Sequence, residues 1–247
     1  MPNILDIQNL SLSYYSPQGE TKALENISFF VEKGEFLSIV GPSGCGKSTL
    51  LSILAGILSP TEGKVSVAGN APTGYMLQKD HLFEWRTIEK NILLGLELTG
   101  NLTDETHSYA LSLMEQYGLS AFRNRRPSQL SGGMRQRAAL IRTLVLKPEI
   151  LLLDEPFSAL DYQTRLYVSD DIVSIIKSRK MTAILVTHDI SEAAALSDRV
   201  LVLSKRPARI KAQFKITFSR PPENSIEARE APEFKEYFNK IRKELDF

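Results

Sequence analysis

The sequence predicts an α/β fold with a mostly parallel sheet, an antiparallel β subdomain at its N-terminal end and an inserted α-helical subdomain. Three observations carry that expectation. Short apolar runs at 36–40, 150–153 and 182–186 each give way to polar residues and then to helical spacing, the order of strand, loop and helix that builds parallel sheets covered on both faces. Residues 4–15 and 23–31 instead alternate apolar and polar, as antiparallel strands do. Residues 87–98 and 103–117 have helical spacing and no strand signal, which places a helical subdomain, about 87–147, inside the α/β unit.

The chain has 247 residues, 43% of them hydrophobic, enough for one large α/β domain or two small ones around a buried core. With 30 basic and 29 acidic side chains the net charge is +1, so no overall field draws the protein to nucleic acid or anionic lipid, and no nucleic-acid partner is expected. Its one cysteine, Cys45, excludes an intramolecular disulfide and a cysteine-based zinc site, in keeping with a reducing compartment. The longest apolar stretch, 50–58, is broken by Ser52 and Gly56 and falls short of the roughly 20 residues of a membrane span. Residues 1–6 lack the basic start of a signal peptide. A soluble protein is expected, with any membrane role exercised through a partner.

Near the C-terminus, Arg220-Pro221-Pro222-Glu223-Asn224 reads as a linker, dividing 1–219 from 220–247. Beyond it Phe234, Phe238, Ile241 and Leu245 form one apolar stripe on a terminal helix, which either docks on the domain or meets a partner.

The chemistry begins at Gly41-Pro42-Ser43-Gly44-Cys45-Gly46-Lys47-Ser48, followed by Thr49, which fits the P-loop pattern G-x-x-x-x-G-K-[ST] between a strand and a helix. The glycines let backbone N–H groups curl around phosphate, Lys47 reaches its outer oxygens and the Ser48 hydroxyl can ligate Mg²⁺. Cys45 occupies a variable position and reads as filler rather than a nucleophile. Asp154 and Glu155 end a buried strand, where α/β sheets bind their ligands. Asp154 would complete the metal shell and Glu155 would polarise the attacking water. In Leu130-Ser131-Gly132-Gly133-Met134-Arg135-Gln136-Arg137 a second small-residue turn opens a helix running to about Leu146. That turn is either a plain N-cap built on Ser131 or a second anion site.

This last segment resembles the LSGGQ signature of ABC ATPases, with Met134 in place of the glutamine, a variation seen in importers of that family. The resemblance runs from about residue 4 to 205. It implies that Tyr14 stacks on adenine, with Tyr15 as the alternative, that Gln78 is the Q-loop glutamine near nucleotide and metal, that Asp161 belongs to the D-loop and that His188 is the switch histidine. It further implies ATP and Mg²⁺ as ligands. Two subunits would pair head to tail, so that Ser131, Gly132 and Gly133 of one meet the P-loop nucleotide of the other. A transmembrane permease, and indirectly an extracytoplasmic solute-binding protein, would complete the assembly, with this chain on the cytoplasmic face of the cell membrane.

Leu82-Phe83-Glu84-Trp85-Arg86-Thr87 looks like the segment after the Q-loop in importers of nitrate, sulfonate, taurine or thiamine precursors, except that Glu84 replaces the usual proline. Leu82, Phe83 and Trp85 either pack beneath the helical subdomain or line a groove for a helix of the permease. The chain lacks room for the extra domain of about a hundred residues carried by sugar-importer ATPases. DNA-repair relatives would need a coiled-coil insertion, and P-loop kinases and GTPases would lack the signature.

Overall fold

The computed structural model describes residues 2–17 and 19–245. Two long strands, β1 (Asn3–Ser16) and β2 (Gly19–Glu32), pair antiparallel, and β4 (Glu62–Val67) adds to the other edge of β1 to make a three-stranded sheet. The main sheet has six strands in the order β5-β6-β7-β3-β8-β9. They are β3 (Phe36–Val40), β5 (Thr73–Met76), β6 (Ile150–Asp154), β7 (Thr182–Thr187), β8 (Arg199–Leu203) and β9 (Ile210–Lys215). All neighbours run parallel except β9, which lies antiparallel on β8.

Every residue of β3, β6, β7 and β8 is buried, because both faces of this sheet are covered and their apolar runs have no solvent side. Alternation along each strand decides which core a side chain enters. Leu151, Leu153, Ala183 and Leu185 face the helical subdomain. Ile150, Leu152, Ile184 and Val186 face the antiparallel sheet and α1 (Lys47–Leu54). That parity matters for the site, since Asp154 falls in step with Ile150 and Leu152 and so lands on the α1 side.

The helical subdomain consists of α2 (Ile88–Leu98), α3 (Asp104–Gln116) and α4 (Gly132–Leu144). Thr87 and Thr103, expected as the first residues of two helices, are their N-caps, each accepting a backbone N–H through its hydroxyl. Helix α4 stops at Leu144, short of the expected Leu146, because Lys147 turns into the left-handed region (φ 52) ahead of Pro148, which cannot continue a helix. The remaining helices are α5 (Tyr162–Ser178), α6 (Ile190–Leu196), α7 (Ser225–Glu230) and α8 (Pro232–Leu245).

Stretch 220–224 is irregular, and α7 follows it directly. The C-terminal stripe docks on the sheet: Ile241 is fully buried against Val40, Val200, Val202, Ala193 and Ala194, with Phe234, Tyr237 and Leu245 partly buried beside it. Phe238 lies at the edge of that contact, its ring 6.1 Å from that of Phe234. Among the described residues no helix is long and apolar enough to cross a membrane.

Candidate active site

Four parallel strands deliver the chemistry to one edge of the sheet. The P-loop follows β3, Asp154 and Glu155 end β6, His188 follows β7 and Gln78 follows β5. Because these strands are neighbours in the order β5-β6-β7-β3, their C-terminal ends set the four groups in a row, where open α/β sheets hold ligands.

Of helices α1 to α7, only α1 begins without a side-chain cap, its N-cap being Gly46 at φ 121. Its first N–H groups are therefore left for another acceptor. A side chain at Gly46 would meet Leu24 Cδ2 at 2.9 Å and Ala23 O at 3.3 Å, so the loop can hug the antiparallel sheet only without one. Lys47 is 6% exposed, and its ammonium donates to Gly41 O at 2.8 Å and Pro42 O at 3.2 Å. Ser43 and Gly44 are exposed at the mouth of the loop, and Arg206 donates to Gly44 O at 2.6 Å. Cys45 is buried with the β1–β2 core and burial pushes its thiol pKa up, which suits packing and not nucleophilic attack.

Asp154 is 5% exposed and is bridged to the P-loop by the Ser48 hydroxyl, which donates to Oδ1 at 3.0 Å, while Tyr75 OH approaches Oδ2 at 3.4 Å. Burial, helped by the neighbouring Glu155 charge, raises its pKa despite those bonds and the Lys47 charge. A hydroxyl and a carboxylate are hard oxygen donors of the kind Mg²⁺ takes, and a cation here would offset the cost of the buried negative charge. Among the described residues no group of three or more His, Cys, Asp or Glu could hold a metal, so phosphate and water oxygens would have to supply the other ligands.

Glu155 adopts φ 44, a conformation that side chains other than glycine rarely take. It is held there by Glu155 N–H donating to Val186 O at 2.9 Å and by the Ser158 hydroxyl donating to Glu155 O at 2.9 Å. The turn points its carboxylate at His188, whose Nδ1 lies 3.0 Å from Oε2, and Gln78 Nε2 donates to the same oxygen at 3.4 Å. Three residues singled out separately in the sequence thus meet at one atom.

Tyr14 OH lies 3.1 Å from Thr49 Oγ1, which ties its 44%-exposed ring to α1, whereas Tyr15, on the opposite face of the strand, is 72% exposed. The other predicted groups are not brought to this row. Ser131 and Gly132 are exposed at the start of α4, which packs on α2, α3, α5 and β5, while α1 packs on β6 and β7. The Ser131 hydroxyl accepts Met134 N–H at 3.4 Å, the plain N-cap reading. Gly133 is buried, and a Cβ there would press on Thr164 at 3.1 Å and Val168 at 3.2 Å, so α4 and α5 can approach closely only at glycine. Asp161 caps α5, accepting Thr164 N–H at 3.1 Å.

Several participants escaped the sequence. Tyr75 reaches Asp154 only because both side chains lie on the α1 side of neighbouring strands. Asn91, fully buried, accepts Phe83 N–H at 2.7 Å and donates to Phe83 O, Arg86 O and Thr87 O at 3.0–3.3 Å, so it fixes the backbone of 83–87. On that fixed backbone Leu82 is buried, but Phe83 and Trp85, 36% and 71% exposed, stack on each other with ring centroids 4.6 Å apart. Packing beneath the subdomain thus accounts for Leu82 alone.

Arg135 of α4 pairs with Asp80 at 2.8 Å and with Glu84 at 2.9 Å, so the glutamate standing in the usual proline position has a partner on the signature helix. Burial would raise the Asp80 pKa, but Arg135 and the Leu82 N–H outweigh it and hold the carboxyl below its ordinary value. Arg142 donates to the Asp80 and His81 carbonyls at 2.6 and 2.7 Å.

Comparison with known proteins agrees with this geometry. The ABC transporter family matches residues 24–158, more than half of the chain. The chain is 46% identical over 250 residues to the uncharacterized ABC transporter ATP-binding protein YtlC of Bacillus subtilis (strain 168), covering 99% of this chain and 96% of that protein. It is 38% identical over 222 residues to the taurine import ATP-binding protein TauB of Ruegeria pomeroyi, covering 87% and 83%. Among solved structures, the dimeric post-hydrolysis state of the ATP-binding cassette MJ0796 bound to ADP and Pi superposes with a TM-score of 0.76 at 30% identity, covering 86% of this chain and 99% of that one. With the family matched over more than half of the chain, a 46% identical relative covered almost end to end and a shared cassette fold, the chain belongs to the ABC transporter family of ATP-binding, ATP-hydrolysing proteins.

Proposed function

We propose that the chain is the ATPase subunit of an ABC importer, peripheral on the cytoplasmic face of the membrane, where it drives uptake through a transmembrane permease fed by an extracytoplasmic solute-binding protein. The observation that carries the reading is the convergence of Gln78 and His188 on Glu155 Oε2, one residue from the Asp154 carboxylate that receives the Ser48 hydroxyl of the P-loop. In that arrangement Tyr14 stacks on adenine, and the N–H groups of Gly41 to Thr49 cradle the phosphates. Lys47 exchanges its bonds to Gly41 O and Pro42 O for phosphate oxygens. Mg²⁺, when held by Ser48 and Asp154 with Gln78 nearby, supplies charge neutralisation to the phosphates. Glu155 accepts the proton of the attacking water, and His188 steadies both that carboxylate and the outer phosphate.

The second half of the site comes from another subunit, a second copy of this chain being the simplest source. Exposed Ser131 and Gly132, with the Gly133 N–H and the D-loop carrying Asp161, meet the nucleotide across the dimer interface, an arrangement supported by the dimeric state of the MJ0796 cassette. Relatives named for taurine, nitrate and aliphatic sulfonate import at 37–40% identity support a small solute of that kind, and the segment after Gln78 adds a thiamine precursor to the alternatives.

Replacing Glu155 by Gln tests the proposal. The variant should bind ATP with wild-type affinity, lose hydrolysis by about 10²- to 10⁴-fold, and run as an ATP-dependent dimer on size exclusion. Hydrolysis at the wild-type rate, or a monomer under conditions where wild type dimerises, would refute the role of Glu155.

A further inference from the structure

Arg165, on the first turns of α5, lies between the loop ending at Asp161 and the segment that carries His188. Its Nη2 donates to Leu160 O at 3.0 Å, and its Nη1 donates to Asp189 Oδ2 at 3.4 Å. Asp189 is committed on its other oxygen: Oδ1 accepts Ser191 N–H at 2.8 Å and Glu192 N–H at 3.3 Å, capping α6. On the other side of His188, the Thr187 hydroxyl donates to Glu192 at 2.7 Å, and Asp189 N–H donates back to Thr187 Oγ1 at 3.0 Å. Glu192 is 4% exposed, and its other oxygen lies 3.9 Å from Arg165 Nε.

His188 is itself half exposed, and its ring nitrogen meets the Glu155 carboxylate. Both of its chain neighbours, however, are pinned, and the pin on Asp189 runs through one guanidinium to the backbone of Leu160. A planar fork that holds a carbonyl and a carboxylate at once fixes their separation, which a point charge on a flexible stem does not.

We propose that Arg165 is a positioning residue for hydrolysis: it ties the Leu160–Asp161 turn to the His188 segment, so that the histidine takes its place beside Glu155 only when that turn is set. This rests on the roles proposed for Glu155 and His188 in hydrolysis. In the dimer proposed above, the Asp161 loop faces the second subunit. Arg165 then makes each active site report whether its partner has docked, by a route that leaves the nucleotide cradle on α1 untouched.

The test is kinetic, on the full chain at saturating protein, with ATP turnover and nucleotide affinity measured separately. Arg165→Ala should lower kcat about tenfold or more while KM for ATP stays within about twofold, the signature of a misplaced group and not of lost binding. Asp189→Asn, which keeps an oxygen to cap α6 but loses the charge facing Arg165, should do the same and should fold even if Arg165→Ala does not. The double variant should be no slower than the worse single one, since both break one link. Arg165→Lys should recover part of the loss. The inference is overturned if Asp189→Asn keeps the wild-type kcat, if the two single losses multiply in the double variant, or if KM rises while kcat holds. Should His188→Ala and Glu155→Gln both hydrolyse ATP normally, the roles beneath the inference fail, a result separable from all of these.

Discussion

Helices α1 and α4 both start from a turn of small residues, and local physics treats their N-termini alike, yet the fold uses them differently. Helix α1 follows a central strand, has no side-chain cap, and presents its free N–H groups beside a buried lysine and a buried carboxylate. Helix α4 follows a loop, is capped by Ser131, and opens on the surface, with its Arg135 and Arg142 turned to the loop after Gln78. One half of an anion site is assembled within the chain. The other is complete as a piece of structure and, in the proposed dimer, would meet its ligand in the second subunit. Substitutions on α1 and its partners should therefore act in the monomer, and those at the start of α4 only in the dimer.

The largest effect on nucleotide affinity in the monomer is expected at Lys47. Lys47→Ala removes the donor proposed for the outer phosphates, and should cost about 10²- to 10³-fold in hydrolysis together with a loss of ATP affinity in the monomer, read by nucleotide titration at low protein concentration. Unchanged monomer affinity would break the contrast at its stronger end.

Asp154→Asn also lies on the α1 side and separates stability from function. Because burial raises the Asp154 pKa, the ionised carboxylate is disfavoured in the folded chain, so its cost is present above the unfolded carboxyl pKa and vanishes at lower pH, where both states are protonated. The variant should hydrolyse ATP at least about 10²-fold more slowly. Free of nucleotide, it should melt above wild type near neutral pH and level with it below about pH 4, as read by scanning calorimetry at the two pH values. Melting below wild type at neutral pH would mean that the bonds to Ser48 and Tyr75 outweigh the burial.

On the α4 side, Ser131→Ala should leave monomer affinity for ATP unchanged and abolish ATP-dependent dimerisation in the Glu155→Gln background. The lost cap should cost only about 0.5–1 kcal/mol in stability, given the long 3.4 Å bond. Gly133→Asp is a poorer probe, because the new side chain would strike Thr164 and Val168 within the same chain. A fall in monomer affinity matching that of Lys47→Ala would make the signature a cis element after all.

What was legible from the sequence follows the same division. The strand, loop and helix of the P-loop and the acidic end of β6 depend on contiguous residues, and alternation along β6 then puts Asp154 on the α1 side, where Ser48 lies. The edge strands were not legible: β5 is four residues long, and β9 alternates over six but follows no turn pattern that marks it. Nor was the network around α4, because Arg135 and Arg142 act on carboxylates and carbonyls of residues 80–84 more than fifty positions away, which no spacing rule links, and Asn91, though only four to eight residues from its partners, acts on backbone that no side-chain pattern marks. Tyr237 took the place expected for Phe238 on α8 because the helix presents a face turned by one residue to β8 and β9.

The smallest change in the isolated protein, and the sharpest for the contrast, is expected at Trp85. If α4 is the half addressed by partners, the loop bound to it by Arg135 should be addressed too, and that loop carries two stacked, exposed aromatic rings on a backbone immobilised by buried Asn91. Exposed rings held this rigidly contribute little to folding, so Trp85→Ala should shift stability by no more than about 0.5 kcal/mol. Basal ATPase should be unchanged, since the residue is 71% exposed and its stacking partner is Phe83. In the assembled transporter the same substitution should reduce stimulation by the permease or prevent assembly, because a preformed aromatic pair offers a helix an anchor at little entropic cost. Melting and basal turnover of the purified subunit, set beside turnover in the reconstituted complex, decide the matter. A destabilised subunit would show that the ring packs within its own chain, and full stimulation would remove this loop from the interface and leave the start of α4 as the only part of that half that meets another subunit.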